Sequence, residues 1–301
     1  MIDYATDDTW GKMTDIFAGK NVVVGVTGSI AAFKVAGWVS DMAKREALIS
    51  VIMTSAACEF IAPLTFGALS GQEVYTGMFA PPESMSHISL AREADLVLIA
   101  PATANTIARL SMGMADDLLT TTVLATRAPV LICPAMNSQM FNHPASVENR
   151  RRLLRLGYTV IDPDCGMMAC KDEGQGRLPE WDKVIDYVAR GLSSDDLAGK
   201  RVLVTAGPTR EPLDPARFLS NRSSGKMGYA LARAAFRRGA EVTLISGPVV
   251  LDAPTGVCRI SVQSAKDMRD AVMAHAPQSH VIIKAAAVAD YRPATCKSHK
   301  V

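Results

Sequence analysis

Apolar residues in this chain fall into short unbroken runs separated by longer stretches of helical spacing. The runs are NVVVGVT (21–27), ISVIM (49–53), LVLIA (96–100), VLIC (130–133) and a weaker one at 158–161. None alternates apolar with polar, which marks strands buried on both faces. Between them, Ala32, Val35, Ala36, Val39 and Met42 keep helical spacing, as do residues 106–112, 116–125 and 144–156, the last closed by Gly157. Strand and helix alternate, which predicts an α/β fold with a doubly wound parallel sheet. At Gly199-Lys200 the pattern restarts, echoing Gly19-Lys20. A strand at 201–205, a helix at 226–238 stopped by Gly239, strands at 241–246, 259–262 and 280–284 and a helix at 265–275 predict a second, Rossmann-like unit. Residues 191–200 are polar and read as a linker, and residues 1–18 lack periodicity and read as a loose extension.

In an open α/β sheet, ligands bind beyond the carboxyl ends of the strands, so the strand endings matter most. The first ends in Gly28-Ser29-Ile30-Ala31, small residues opening a helix. That is either an anion site or a plain β-α turn. A nicotinamide dinucleotide is disfavoured, because the second strand ends in Thr54-Ser55 without the acidic residue that would hold a ribose. Two further strands end alike, in APATAN (100–105) and PAMN (134–137). Asn137 either holds a ligand or caps the following helix. His87 stands near the start of a short helix. DCGMMACKDEGQGRL (164–178) reads as a long loop with glycine hinges, two cysteines and an arginine. Such a loop is a candidate lid, and its cysteine a candidate acid or nucleophile. SNRSSGKMG (220–228) precedes a helix and is a candidate phosphate cradle, though not a Walker loop.

Composition narrows the classes. A length of 301 residues, nearly half hydrophobic, suits two domains with sizeable cores. A net charge of +2 without a clustered basic surface gives no nucleic-acid footprint, and the run Arg150–Arg155 reads as a solvated helix face. Six cysteines without a CxxC pair, with five scattered histidines, make no zinc pattern and point to a reducing, cytoplasmic compartment. No run is long enough for a membrane span, and the acidic N-terminus is no signal peptide.

APATAN, PAMNxxM, the histidine before them and ACxxxGxGR, in that order, resemble the homo-oligomeric flavin-containing cysteine decarboxylases, and within them the phosphopantothenoylcysteine decarboxylases. The resemblance covers about residues 19–190. It implies a flavodoxin-like FMN domain of coenzyme A biosynthesis, without metal, assembled as trimers or multiples of trimers with the flavin near a subunit contact. Gly28, Ser29 and Thr54 would hold the FMN phosphate or ribityl chain. Ala100, Pro101, Ala102, Thr103 and Asn105 would line the flavin. His87 would be the active-site histidine, Asn137 would bind the substrate carboxylate beside Met136, and Cys170 would donate a proton from a flap ending at Arg177. Cys165 is the rival donor. Cys170 is favoured because Gly174-x-Gly176-Arg177 follows it at the family's spacing. Lys171 replaces the glycine that usually follows that cysteine.

In the second unit, TAGPTREPLDP, SNxSSGKMG and AAAVADY resemble the phosphopantothenate–cysteine ligases, which use CTP and Mg. Asn221 matches a residue contacting the acyl intermediate, and Ala286 and Asp290 fall in the nucleotide-binding stretch. Residues 201–301 would be a partial ligase domain, expected to be inactive because the family continues well beyond Val301. The alternative function is a non-catalytic flavoprotein of the same fold that regulates or binds a partner.

Overall fold

The unbroken apolar runs form the centre of a sheet. The computed structural model describes residues 15–79, 86–168 and 171–300. In chain order it contains β1 (Asn21–Val26), α1 (Ala32–Lys44), β2 (Leu48–Met53), α2 (Ser55–Cys58), α3 (Pro63–Ser70), β3 (Val74–Tyr75), α4 (Ser86–Glu93), β4 (Leu96–Ala102), α5 (Ala104–Met112), α6 (Leu118–Ala125), β5 (Val130–Pro134), α7 (Ser138–Asn142), α8 (Pro144–Arg155), β6 (Thr159–Val160), β7 (Asp164–Met167), β8 (Glu173–Arg177) and α9 (Trp181–Leu192). The chain divides into two compact units between Val184 and Ile185, inside α9.

In the first unit six parallel strands lie in the order β3-β2-β1-β4-β5-β6. β3 has only two residues. Without it the order is that of a flavodoxin-like sheet, whose switch point lies between β1 and β4. Every residue of β4 and β5 is buried, as their apolar composition requires. α1 turns Val35, Trp38, Val39 and Met42 inward. Trp38 stacks on Trp181 at 5.3 Å between ring centroids, and the Trp181 indole donates to Asp41 at 2.8 Å.

Several expectations are corrected. Phe17 is only 1% exposed, with the Arg45 guanidinium 5.4 Å from its ring centroid, so the loose extension does not reach residue 17. Residues 1–14 lie outside the described residues. β4 does not stop at Ala100 but runs through Pro101 to Ala102, after a register shift, and Ala102 pairs with Pro134. The α3 segment PLTFGALS is apolar without a one-sided face, so periodicity is silent there, and Phe66 is its buried residue. Arg150 is not merely solvated: its guanidinium covers the Phe141 ring at 3.6 Å and donates to the Phe141 carbonyl at 2.6 Å.

The second unit contains β9 (Arg201–Ala206), β10 (Arg210–Pro212), β11 (Phe218–Ser220), α10 (Lys226–Arg237), β12 (Glu241–Ser246), β13 (Cys258–Ser261), α11 (Ala265–His275) and β14 (Val281–Lys284). Its parallel sheet has the order β13-β12-β9-β14. Leu197, in the polar stretch read as a linker, packs against this core. Asp186, buried in α9, accepts from Arg237 of α10 at 2.7 Å. Among the described residues, no helix is long and apolar enough to cross a membrane.

Truncating a buried aromatic side chain removes its transfer free energy and leaves a cavity. Phe17→Ala is therefore expected to cost about 3 kcal/mol in urea unfolding. A change under about 1 kcal/mol would mean that the segment around Phe17 lies outside the cooperative fold.

Candidate active site

The site is built where the strand order reverses. Thr27, at the end of β1, is 1% exposed. Its hydroxyl donates to the Pro101 carbonyl at 2.6 Å and accepts from the Thr103 N–H at 3.0 Å. This ties the turn after β1 to the end of β4. The next residue must be glycine: a Cβ on Gly28 would lie 2.5 Å from the Ala56 Cβ. A cleft of about 690 Å³ opens here, lined by Gly28, Thr54, Thr103 and Asn105 among others. Thr54 caps α2 by accepting from the Ala57 N–H at 3.3 Å, and Thr103 caps α5. Arg109 also lines the cleft, but pairs with Asp117 at 2.9 Å and Asp116 at 3.4 Å.

The donor set fits the FMN that the resemblance implies. Hydroxyls, an amide and backbone N–H groups at helix starts suit a phosphate and a ribityl chain. Ala100, Pro101 and Ala102 are buried in β4 and do not line the cleft. Their contribution is the Pro101 carbonyl that Thr27 binds. Thr27 itself was missed, although a polar residue closing an otherwise apolar run was the available signal.

A second cleft of about 590 Å³ lies between the start of α1, the end of β5 and the segment 164–178. It is lined by Ser29, Lys34, Met136, Asn137 and Arg177 together with apolar residues. That segment is not an irregular loop: β7 and β8 form an antiparallel hairpin. Two of its glycines are docking positions rather than hinges. The Gly176 carbonyl accepts from the Met136 N–H at 3.0 Å, and a Cβ on Gly176 would meet the Met136 carbonyl oxygen. A Cβ on Gly174 would lie 3.0 Å from that of Ser138. At Gly176 backbone thus packs on backbone, which any side chain would block, whereas Gly174 lies close against the Ser138 side chain.

Asn137 fills the capping role left open for it and turns its amide to a carboxylate of the hairpin. Its side-chain oxygen accepts from the Gln139 N–H at 2.8 Å, capping α7. Its amide nitrogen donates to the Asp172 carboxylate, on the hairpin turn, at 2.8 Å. Lys171, where the resemblance leads one to expect glycine, keeps a left-handed backbone with φ of 65°. Cys170 lies outside the described residues. Cys165 is exposed on β7, opposite Gln175, and does not line the cleft. Cys133 is fully buried in β5, and burial pushes its thiol well above the usual range. Burial, then the nearby Glu59, also raises Cys58. These two thiols stay protonated and are poor nucleophiles. His87, half-buried in α4, lines neither cleft.

In the second unit, three motifs distant in sequence meet beyond β9. The Ala287 N–H donates to the Gly207 carbonyl at 2.9 Å, and the Ala286 N–H to the Thr205 hydroxyl at 3.3 Å. Asn221 donates to the carbonyls of Ala287 at 3.2 Å and Val288 at 3.0 Å. Asp290 is exposed. Buried Glu211 accepts from the Ala265 N–H at 2.8 Å, fixing the start of α11.

Fold and site together define a flavodoxin-like α/β protein with a polar-lined cleft at its switch point and a hairpin beside an adjoining cleft. The Flavoprotein family pattern matches residues 14–193, and that of the DNA/pantothenate metabolism flavoprotein C-terminal domain matches residues 197–301. The coenzyme A biosynthesis bifunctional protein CoaBC of Vibrio cholerae is 51% identical over 286 residues, covering 94% of this chain and 72% of that protein. Its Bacillus subtilis counterpart is 49% identical over 288 residues, covering 94% and 71%. A PPC decarboxylase mutant complexed with pantothenoylaminoethenethiol superposes with a TM-score of 0.51 at 28% identity, over 56% of this chain and 96% of that one. The chain belongs to the family of coenzyme A biosynthesis bifunctional CoaBC proteins.

Two substitutions on the hairpin should move stability in opposite directions. Gly176→Ala forces backbone apart at the PAMN loop and should cost about 2 kcal/mol or more. Lys171→Gly relieves a left-handed non-glycine residue and should gain about 1 kcal/mol. Urea midpoints measure both. Equal shifts of the same sign would contradict the docking and turn geometry.

Proposed function

We propose that the first unit decarboxylates 4′-phosphopantothenoylcysteine to 4′-phosphopantetheine with bound FMN. The observation that carries this reading is the Asn137 amide, held by its cap and already donating to a carboxylate at 2.8 Å. The same N–H is suited to the carboxylate that leaves as CO₂. An uncharged donor orients that group without over-stabilising the ground state, as a cation would. The bound flavin supplies two-electron redox chemistry, which makes the substrate's thiol-bearing carbon an electron sink. Cys170 delivers the proton that replaces CO₂. The hairpin covers the cleft and keeps water from the reacting carbon. The non-catalytic alternative is not favoured by the relatives, which are coenzyme A biosynthesis proteins.

For the second unit, the family match and the meeting of its three motifs support a CTP- and Mg-dependent step joining 4′-phosphopantothenate to cysteine. Asn221 would meet the acyl group, and Ala286 and Asp290 would border the nucleotide. Pyrophosphate release from CTP measures how far this chain carries that step. The reading also includes a cytoplasmic homo-oligomer, a trimer or a multiple of it. His87 lines neither cleft within one chain, while Ile30 and Phe33 beside the second cleft are 55% and 60% exposed. Light scattering of the purified protein tests the oligomer.

Incubation with 4′-phosphopantothenoylcysteine should release CO₂ and form 4′-phosphopantetheine. Asn137→Ala should lower kcat/KM at least about tenfold, the cost of losing a hydrogen bond to a charged group. Cys170→Ser should accumulate a decarboxylated, unreduced product, and Cys165→Ser should not. Flavin-bound protein that yields no CO₂ would refute the enzyme, and the reverse cysteine result would move the acid to Cys165.

A further inference from the structure

A charged group at the second cleft has no role in the chemistry above. The Lys34 ammonium and the Arg177 guanidinium each lie 3.0 Å from the same oxygen, Oε1 of Glu180. One carboxylate oxygen thus serves two cations. The neighbouring carboxylate, Asp164, is already engaged. It binds Lys183 at 3.1 Å and the Glu180 N–H at 3.0 Å. Within this group three cations, Lys34, Arg177 and Lys183, face two carboxylates, which leaves one surplus positive charge. Lys34 and Arg177 line the cleft, whereas Glu180 does not.

Exposure separates the partners. The Glu180 side chain is 59% exposed, against 30% for Lys34 and 36% for Arg177. An exposed carboxylate on a flexible stem gains little from such pairing and can swing into water. The cations are better fixed. A Cβ on Gly166 would lie 2.8 Å from Nη1 of Arg177, so glycine there lets the guanidinium rest against β7. A planar guanidinium forks onto two oxygens of a phosphate, and an ammonium adds a point charge. A phosphate dianion would satisfy both cations and the surplus charge, which one glutamate does not.

Asn137, the carboxylate donor, lines the same cleft, and Phe33, Met136 and Leu178 supply apolar wall. The cleft therefore suits a ligand with a carboxylate, an apolar stretch and a phosphate. We propose that Lys34 and Arg177 are the specificity-determining residues for the substrate's phosphate, and that Glu180 holds their place until it arrives. This rests on the decarboxylase reading.

The test compares 4′-phosphopantothenoylcysteine with unphosphorylated pantothenoylcysteine, using the flavin-bound full chain. The unmodified protein should prefer the phosphorylated substrate. Lys34→Gln should lower the ratio of the two kcat/KM values about tenfold, chiefly through KM for the phosphorylated one. Glu180→Gln should raise that ratio, an opposite sign that misfolding would not produce. Flavin absorbance should remain in both variants. A ratio unmoved in both, with turnover intact, overturns the inference alone. Loss of flavin from Lys34→Gln also overturns it, since the anion held there would be the cofactor's phosphate. No CO₂ from either substrate with the unmodified protein overturns the decarboxylase reading and this inference together.

Discussion

One buried hydroxyl, that of Thr27, holds the two halves of the first sheet's working edge together. β4 slips register between Ile99 and Ala102, so its end cannot complete an even ladder. Unpaired buried backbone groups are costly and must find partners. Thr27 satisfies the Pro101 carbonyl and the Thr103 N–H with one oxygen. The Ala135 N–H then donates to the Ala102 carbonyl at 3.0 Å, which carries the constraint on to β5. The cradle around Gly28, the start of α5 and the PAMN loop are therefore positioned as one piece. The two clefts share that wall, so the flavin expected in one and the carboxylate expected in the other would be held by the same framework.

What the sequence made legible follows from which forces act. Strands buried on both faces need unbroken apolar runs, and β1, β2, β4 and β5 were readable for that reason. α3 was not, because an apolar segment without a one-sided face carries no period. The hairpin reads as a loop in the sequence because its strands, DCGM and EGQGR, have almost no apolar residues. It is held by backbone docking of Gly176 on Met136, which leaves no trace in hydropathy. Its glycines were visible, but hinge and close approach look alike in a sequence. The chemistry-bearing residues were found through motifs, whereas partners were not. Nothing local pairs Asn137 with Asp172, or Lys34 with a glutamate 146 positions away.

The second unit solves the same backbone problem with different parts. A Cβ on Gly228 would lie 2.5 Å from that of Ala206, as one on Gly28 would from that of Ala56. In each case a helix or turn approaches its neighbour closely enough that only hydrogen fits. The turn after β9 is larger because it carries its own hairpin, β10 with β11, and the Asp214–Arg217 pair at 2.6 Å. A buried carboxylate receiving the Ala216 and Arg217 N–H groups, each at 2.8 Å, stiffens what would otherwise be a long irregular connection.

The two units also turn one side chain to opposite uses. Asn137 has its carbonyl oxygen taken by the Gln139 N–H, so it meets its surroundings as a donor. Asn221 has its amide nitrogen directed at two carbonyls, Ala287 and Val288, so its remaining oxygen can only accept. Backbone groups of fixed polarity set both orientations. A donor suits a carboxylate and an acceptor suits an N–H or O–H, so as ligand-binding groups the two asparagines would favour partners of opposite polarity. Had the neighbouring backbone offered the other group, the same residue in the same place would recognise a different chemistry. In both units, therefore, the polarity the amide presents is set by the backbone that orients it as much as by the asparagine itself.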